Sequence, residues 1–337
     1  MDDALRWKQS AGSFSRMKCL KDRQRILQVI REDLYDQNFL EVETPLLVKA
    51  TCPDPYIDSI KTEEGYLITS TEYQIKRLMA GGFEKVFTLT KNFRANDRGR
   101  YHSSEFTMLE WARAGESLQT IEEDTVRFVR KAFSVLYPDQ TSLNFQGNTI
   151  DFLSAPWETL TVRKAFDKYL GLNNLKDFSL EALASASKAV AMAIPSFFEQ
   201  DKHLMMAYLL DQLQPHLGKE RPTFLKEWPS YLASSAPLDT NDPSVAERTE
   251  LYIGGIEIAN GFPFLRDAEL QRKFFKEALQ IRKEEGKPSV VLDEHYLASL
   301  EKLPMGAGIA LGVDRLVMVL TGASQLTDIQ AFGWDEL

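Results

Sequence analysis

From Leu20 to Gln37 the apolar positions Ile26, Leu27, Ile30 and Leu34 recur at helical spacing. Asn38 follows, and asparagine tolerates the left-handed conformation that stops a helix, so the helix is expected to end there. In FLEVETPLLV, Leu40 and Val42 then alternate with Glu41 and Glu43 until Pro45, which predicts a short strand. EYQIKRLMAGG reads as a short helix closed by Gly81 and Gly82. KVFTLTKNFR and SEFTMLEWAR read as two strands pairing antiparallel across the polar loop Ala95 to Ser103. Leu118 to Tyr137 is helical again, and residues 160 to 217 look mostly helical. PTFLKEWP and ERTELYIGGIEIANGF return to strand patterning. Asp267 is placed to cap a long helix over DAELQRKFFKEALQIRKEEG. GAGIALG is a last strand and VDRLVMVLTGA a last helix.

The strands cluster before residue 115 and after residue 222, with helices between and after. That is not the alternation of a parallel α/β fold. The fold class expected is α+β, a mainly antiparallel sheet with helices packed against it. Without a low-complexity linker or repeat, one domain over residues 1–337 is the simplest organisation, with 116–220 as a mostly helical insertion.

Composition narrows the function classes. Of 337 residues, 44% are hydrophobic and 26% charged, as in soluble globular proteins. The N-terminal MDDALRWKQSAGSFSRMK lacks the apolar core of a secretory signal, and no apolar run is long enough to span a bilayer. Cys19 and Cys52 form no disulfide framework, and four scattered histidines offer no zinc site, so a reducing cytoplasm is expected. The net charge of −9 opposes whole-surface nucleic-acid binding. Any phosphate binding must come from placed arginines.

Such arginines occur in FRANDRGRYHSSEFTMLEW: Arg94 at a strand end, then Arg98, Arg100 and His102 in the loop. Guanidinium forks suit phosphate oxygens, and an aromatic face suits a purine. Period two puts Phe106, Met108, Glu110 and Ala112 on one strand face and Glu105, Thr107, Leu109 and Trp111 on the other. Glu250 and Glu257 flank Gly254-Gly255, and a tight hairpin there puts both on one face. Such a pair repels, and Mg²⁺ between the two would relieve it. In GIALGVDRLVM a glycine-bearing strand runs into a helix whose first turn holds Asp314 and Arg315. Each feature alone has an ordinary structural explanation: a solvated charged hairpin, exposed acids, a plain strand-to-helix join.

Together, FLEVETPLL, FRANDRGRYHSSEFTMLEW and GIALGVDRLVM resemble the three signature motifs of class II aminoacyl-tRNA synthetases. TSTEYQIKRL, ELYIGGIEIANGF and PTFLKEWP resemble the lysyl branch. RYHSSEFTMLEW, GIEIANGF and ALGVDRLVM look most like the elongation factor P lysine ligase family, a stand-alone paralogue of the lysyl-tRNA synthetase catalytic domain. The likeness covers roughly residues 19 to 333. It implies a six- to seven-stranded antiparallel sheet flanked by helices, a homodimer formed through motif 1, and no anticodon-binding domain, which argues against a tRNA substrate. It implies that lysine or β-lysine is activated with ATP and transferred to a lysine of elongation factor P.

Carried over by position, the resemblance makes Arg94, Glu257 and Arg315 catalytic. Ala95, Asn96, His102, Ser103, Glu105, Phe106, Ile258 and Gly312 join them around ATP, with Glu105 reading the adenine amino edge. Ser70, Thr71, Glu72, Glu110, Ala112, Asn260, Phe264 and Ala310 form the amino-acid pocket. Glu250 and Glu257 would hold Mg²⁺. One point resists: in a regular strand Glu257 and Asn260 face opposite ways, so a bulge is required between them. Asn96 also stands where the motif has glutamate, with Asp97 beside it as a substitute. Two pocket positions depart more sharply, since the family has tyrosine at the position of Ala112 and glutamate at that of Phe264. These groups help hold a distal ammonium, so the expectation is an altered side-chain specificity, for a substrate shorter or less polar than lysine. Against it, Glu110 alone could hold the ammonium, or Asp267 could reach in. An altered specificity would also leave the acceptor open to another protein, a carrier or a small amine.

Overall fold

A computed structural model of the protein describes residues 16–337 apart from Asn174. Residues 1–15, most of the stretch read above for a secretory signal, lie outside the described part. Helix α1 (Arg16–Asp36) ends as expected, with Asn38 at φ +60°. Strand β1 (Leu40–Glu41) is shorter than the reading of FLEVETPLLV. Beyond Pro45, which has no N–H to give, Leu47–Val48 (β2) pairs with Tyr66–Leu67 (β3) in a separate ladder. Helix α2 (Glu72–Ala80) leads into β4 (Lys85–Phe93) and β5 (Glu105–Ala114), paired antiparallel from Lys85↔Arg113 to Phe93↔Glu105.

Helix α3 (Leu118–Leu136) follows, and then comes a departure from the expected helical insertion. Strands β6 (Ser142–Phe145) and β7 (Asn148–Asp151) form a hairpin. Gln146 and Gly147 turn it, both at positive φ, as the tightest hairpins require. Strand β8 (Glu158–Thr161) then adds a parallel edge to the main sheet. Only after it do α4 (Val162–Ala165), α5 (Leu180–Ala189) and α6 (Lys202–Leu213) supply the helices. The remaining elements are β9 (Thr223–Pro229), β10 (Val245–Ile253), β11 (Ile256–Pro263), α7 (Ala268–Glu284), α8 (Glu294–Ser299), β12 (Gly306–Gly312) and α9 (Val313–Thr321).

The main sheet has eight strands, not six or seven, in the order β1-β4-β5-β12-β11-β10-β9-β8. The pairs β1/β4 and β8/β9 at its edges are parallel, and every junction between them is antiparallel. One face packs on α1, α3 and α9. Leu109 and Trp111 point that way, and the Trp111 ring meets Phe128 edge-on at 5.0 Å. Eight of the nine residues of α9 are buried, and Arg315 is the exception. Asp314 ties the layers together: it accepts from the Thr107 N–H at 2.9 Å and pairs with Arg23 of α1 at 2.6 Å. The other face carries α2, α7 and α8 over one end and leaves an open cleft over the rest.

Candidate active site

The cleft measures about 1100 Å³. Period-two alternation on β5 turns Phe106, Met108, Glu110 and Ala112 toward it, opposite the helices. Small residues on β12 keep its floor low: Gly308, Ala310 and Gly312 pair with Ala112, Glu110 and Met108.

Arg94 emerges where β4 ends. Its guanidinium lies 5.0 Å from the centre of the Phe106 ring, and its buried Nε has no partner among the described residues. Burial lowers its pKa, and the Glu257 and Asp97 carboxylates pull it back. It remains a cation facing the cleft without an ion pair among the described residues, which suits an anionic ligand. Arg315 is fully engaged instead. It donates to the Glu257 carbonyl at 2.9 Å, to the Glu257 carboxylate at 3.3 Å and to the Tyr101 carbonyl at 3.2 Å. Its Nη2 lies 2.7 Å from His102 Nε2. Burial, then the charge of Arg315, lowers the His102 pKa. A neutral imidazole that accepts at Nε2 carries its proton on Nδ1.

The hairpin β10–β11 turns at Gly254 and Gly255, both at positive φ. Its register steps from Leu251↔Ala259 to Tyr252↔Glu257 and skips Ile258. That bulge is the irregularity the sequence required, and it lets Glu257, Ile258 and Asn260 all line the cleft. Glu250, buried at 4% exposure, is pushed up to about 7 by burial and then by the charge of Glu257. Arg248 and Tyr252 hold its two oxygens. Two carboxylates on one wall fit Mg²⁺, which takes one or two protein oxygens and leaves the rest to phosphates and water. Among the described residues no third acid, histidine or cysteine joins them.

In the pocket beyond, the Glu110 carboxylate accepts from Ser70 Oγ at 2.7 Å and from the Thr71 N–H at 3.0 Å. Burial raises it from the ordinary 4.5 to about 7 despite these bonds. Between those values the folded protein holds a proton that the unfolded chain releases, so stability falls as pH rises through the window. Glu110→Gln removes that dependence. It is expected to gain stability relative to the wild type, by up to about 3 kcal/mol, as unfolding is measured in urea first near pH 5 and then near pH 8.

Most residues carried over by resemblance meet in this cleft: Ser70, Glu72, Arg94, His102, Ser103, Phe106, Glu110, Ala112, Glu250, Glu257, Ile258, Asn260, Phe264, Ala310, Gly312 and Arg315. Five residues named from the sequence present no side chain to the cleft. Glu105 points away, half-exposed and paired with Lys91 at 3.2 Å, because strand alternation opposes it to Phe106. Ala95 and Asn96 lie outside the lining, and Asn96 is spent on the turn at φ +60° while Asp97 faces the cleft. Thr71 contributes its N–H to Glu110 from beneath the surface, not its side chain. Asp267 does not reach in, because it caps α7 by accepting from the Leu270 N–H at 2.9 Å.

Arg248 and Lys76 are among the cleft residues that escaped the sequence reading. Arg248 donates to Asn260 Oδ1 at 3.1 Å and to Glu250, so the Asn260 amide turns its NH₂ to the cleft. The ERTE pattern carried the signal, since Arg248 and Glu250 share a strand face. Lys76, one helical turn after Glu72, is buried with its ammonium 2.7 Å from that carboxylate and 5.1 Å from the Phe262 ring.

Comparison with known proteins agrees with this geometry. The family described as tRNA synthetases class II (D, K and N) matches residues 10–336. A Salmonella arizonae protein named elongation factor P–(R)-β-lysine ligase is 36% identical, over 99% of both chains. Proteins of the same name from Edwardsiella ictaluri and Salmonella paratyphi B are 35% and 36% identical over the same shares. With motif arginines on one wall of a mainly antiparallel sheet and near-complete coverage by these relatives, the chain belongs to the class II tRNA synthetase (D, K and N) family.

Proposed function

We propose that the protein is an ATP-dependent aminoacyl ligase, which activates a basic amino acid as its adenylate and transfers the acyl group to a lysine of elongation factor P. The observation that carries this reading is the Arg94 cation beside Phe106, without an ion pair among the described residues, in a cleft that Arg315 and His102 line on one side and Glu110 and Ser70 on another. Phe106 stacks on adenine, with Ser103, Ile258 and Gly312 around the nucleoside. Arg94 binds the α-phosphate and the substrate carboxylate. A carboxylate oxygen attacks the α-phosphorus and pyrophosphate leaves. Arg94 stabilises the charge that develops, by electrostatics already in place. Arg315 and His102 flank the departing phosphates. Glu250 and Glu257 would hold Mg²⁺, which neutralises phosphate charge when bound. In the second half-reaction a neutral lysine amine of the acceptor attacks the acyl carbon, an amide forms and AMP leaves.

The acceptor and the amino-acid class follow the names of the relatives. A homodimer fits the exposed Tyr35, Leu40 and Leu47 around motif 1, and sedimentation at micromolar concentration tests it. The acidic balance of −9 speaks against a large RNA partner. Among the described residues no helix is long and apolar enough to cross a membrane, in keeping with a cytoplasmic site of action. The activation step is tested by ATP–pyrophosphate exchange. Exchange that depends on an added amino acid is expected, and its absence with every amino acid tried would refute the reading.

A further inference from the structure

The strand registers order the cleft floor from one end to the other. Gly312, Arg315 and Arg94 mark the nucleotide end. Moving away, Glu110 pairs with Ala310, and Ala310 with Asn260. The next rung is Ala112, Gly308 and Phe262. Glu110 is the last charged group on this floor, and beyond it the trough is stopped. A Cβ on Gly306 would stand 2.7 Å from the Phe264 ring, and one on Gly308 3.5 Å from it, so the ring lies on these two glycines. Ala112 and Phe264 are 1% and 6% exposed, inside an apolar cluster with Tyr73 and Phe275. Neither Ala112 nor Phe264 offers a polar atom to a distal ammonium, and the hydroxyl that this wall holds near them belongs to the buried Tyr73.

Glu110 is itself 4% exposed. Every hydrogen bond it accepts from the described residues falls on Oε1, from Ser70 and Thr71, and among those residues it makes no ion pair. A buried carboxylate without a counter-ion is costly, and a cationic ligand in the cleft removes the cost.

We propose that the pocket takes a diamino acid with a side chain shorter than that of lysine, in the range from 2,4-diaminobutyrate to ornithine. Its ammonium ends on Glu110, and the Phe264 ring and Ala112 exclude the longer chain. This inference rests on the adenylate-forming reading above.

The test is ATP–pyrophosphate exchange with lysine, (R)-β-lysine, ornithine, 2,4-diaminobutyrate and norvaline, on the wild type, Glu110→Gln and Phe264→Leu. The wild type is expected to use ornithine or 2,4-diaminobutyrate about tenfold better than lysine or β-lysine, and norvaline poorly. Glu110→Gln should lose roughly 30-fold or more on the preferred diamine, as when one partner of a buried charge pair is removed. Phe264→Leu should shift the preference toward lysine. Preference for lysine, β-lysine or norvaline in the wild type overturns the inference and leaves the adenylate reading standing, as does a Glu110→Gln enzyme of unchanged activity. Exchange with no amino acid overturns that reading and the inference with it.

Discussion

Arg94→Ala lowers amino-acid-dependent ATP–pyrophosphate exchange by roughly 10²–10³-fold, the loss that follows removal of one placed donor at a centre of developing charge. Its melting temperature stays close to that of the wild type. The asymmetry follows from where the guanidinium sits. Arg94 stacks on Phe106, makes no ion pair within the described residues and leaves a buried Nε without a partner. A cation so placed costs the free protein something and contributes little packing. Its worth lies in the anion it meets. Arg94→Lys should recover little, because an ammonium lacks the planar fork that spans two oxygens. A large loss of stability in Arg94→Ala would show that the residue is structural.

Asp124→Ala produces the opposite pattern. Asp124 is buried at 1% exposure in α3 and accepts from Arg113 at 2.6 and 2.8 Å and from Arg127 at 2.7 Å. Arg113 is 5% exposed, its guanidinium lies 4.7 Å from the centre of the Phe39 ring, and among the described residues Asp124 is its one ion-pair partner. Removing the acid strands a buried cation between the sheet and α3, at a cost of about 3–5 kcal/mol. Urea unfolding should show that loss. The fraction that remains folded should exchange pyrophosphate at near the wild-type rate, because Arg113 faces the helices and Ala112 the cleft. A stability change under about 1 kcal/mol would mean that water reaches the pair.

The direction of Arg113 follows from the alternation of β5, which separates a helix-facing row from a ligand-facing row, whereas Arg94 lies just past the end of β4. The same alternation set Glu105 opposite Phe106. The role carried over from the resemblance does not follow that parity, and in the structure the Glu105 carboxylate pairs with Lys91. Asn38, Asp267 and Gly254-Gly255 were legible because each acts through its own backbone or the next few residues. What escaped depends on distant partners. Strand β8 exists through parallel pairing with β9, about sixty residues on, which no local period announces. Turn β6–β7 uses Gln146 at positive φ, an uncommon choice that hid the hairpin in FQGN. The bulge at Ile258 was demanded by the roles of Glu257 and Asn260, but no residue type marks it. Lys76 read as one more polar position on a short helix until Phe262 and Tyr296 closed around it.

The most direct measurement is the intact mass of elongation factor P after incubation with this protein, ATP, Mg²⁺ and whichever amino acid drives pyrophosphate exchange. The account predicts a gain of one amino acid less water on a single lysine, absent without ATP and lost with Arg94→Ala. An unchanged elongation factor P, with the amino acid found instead on tRNA, on a carrier or only as free adenylate, would contradict it.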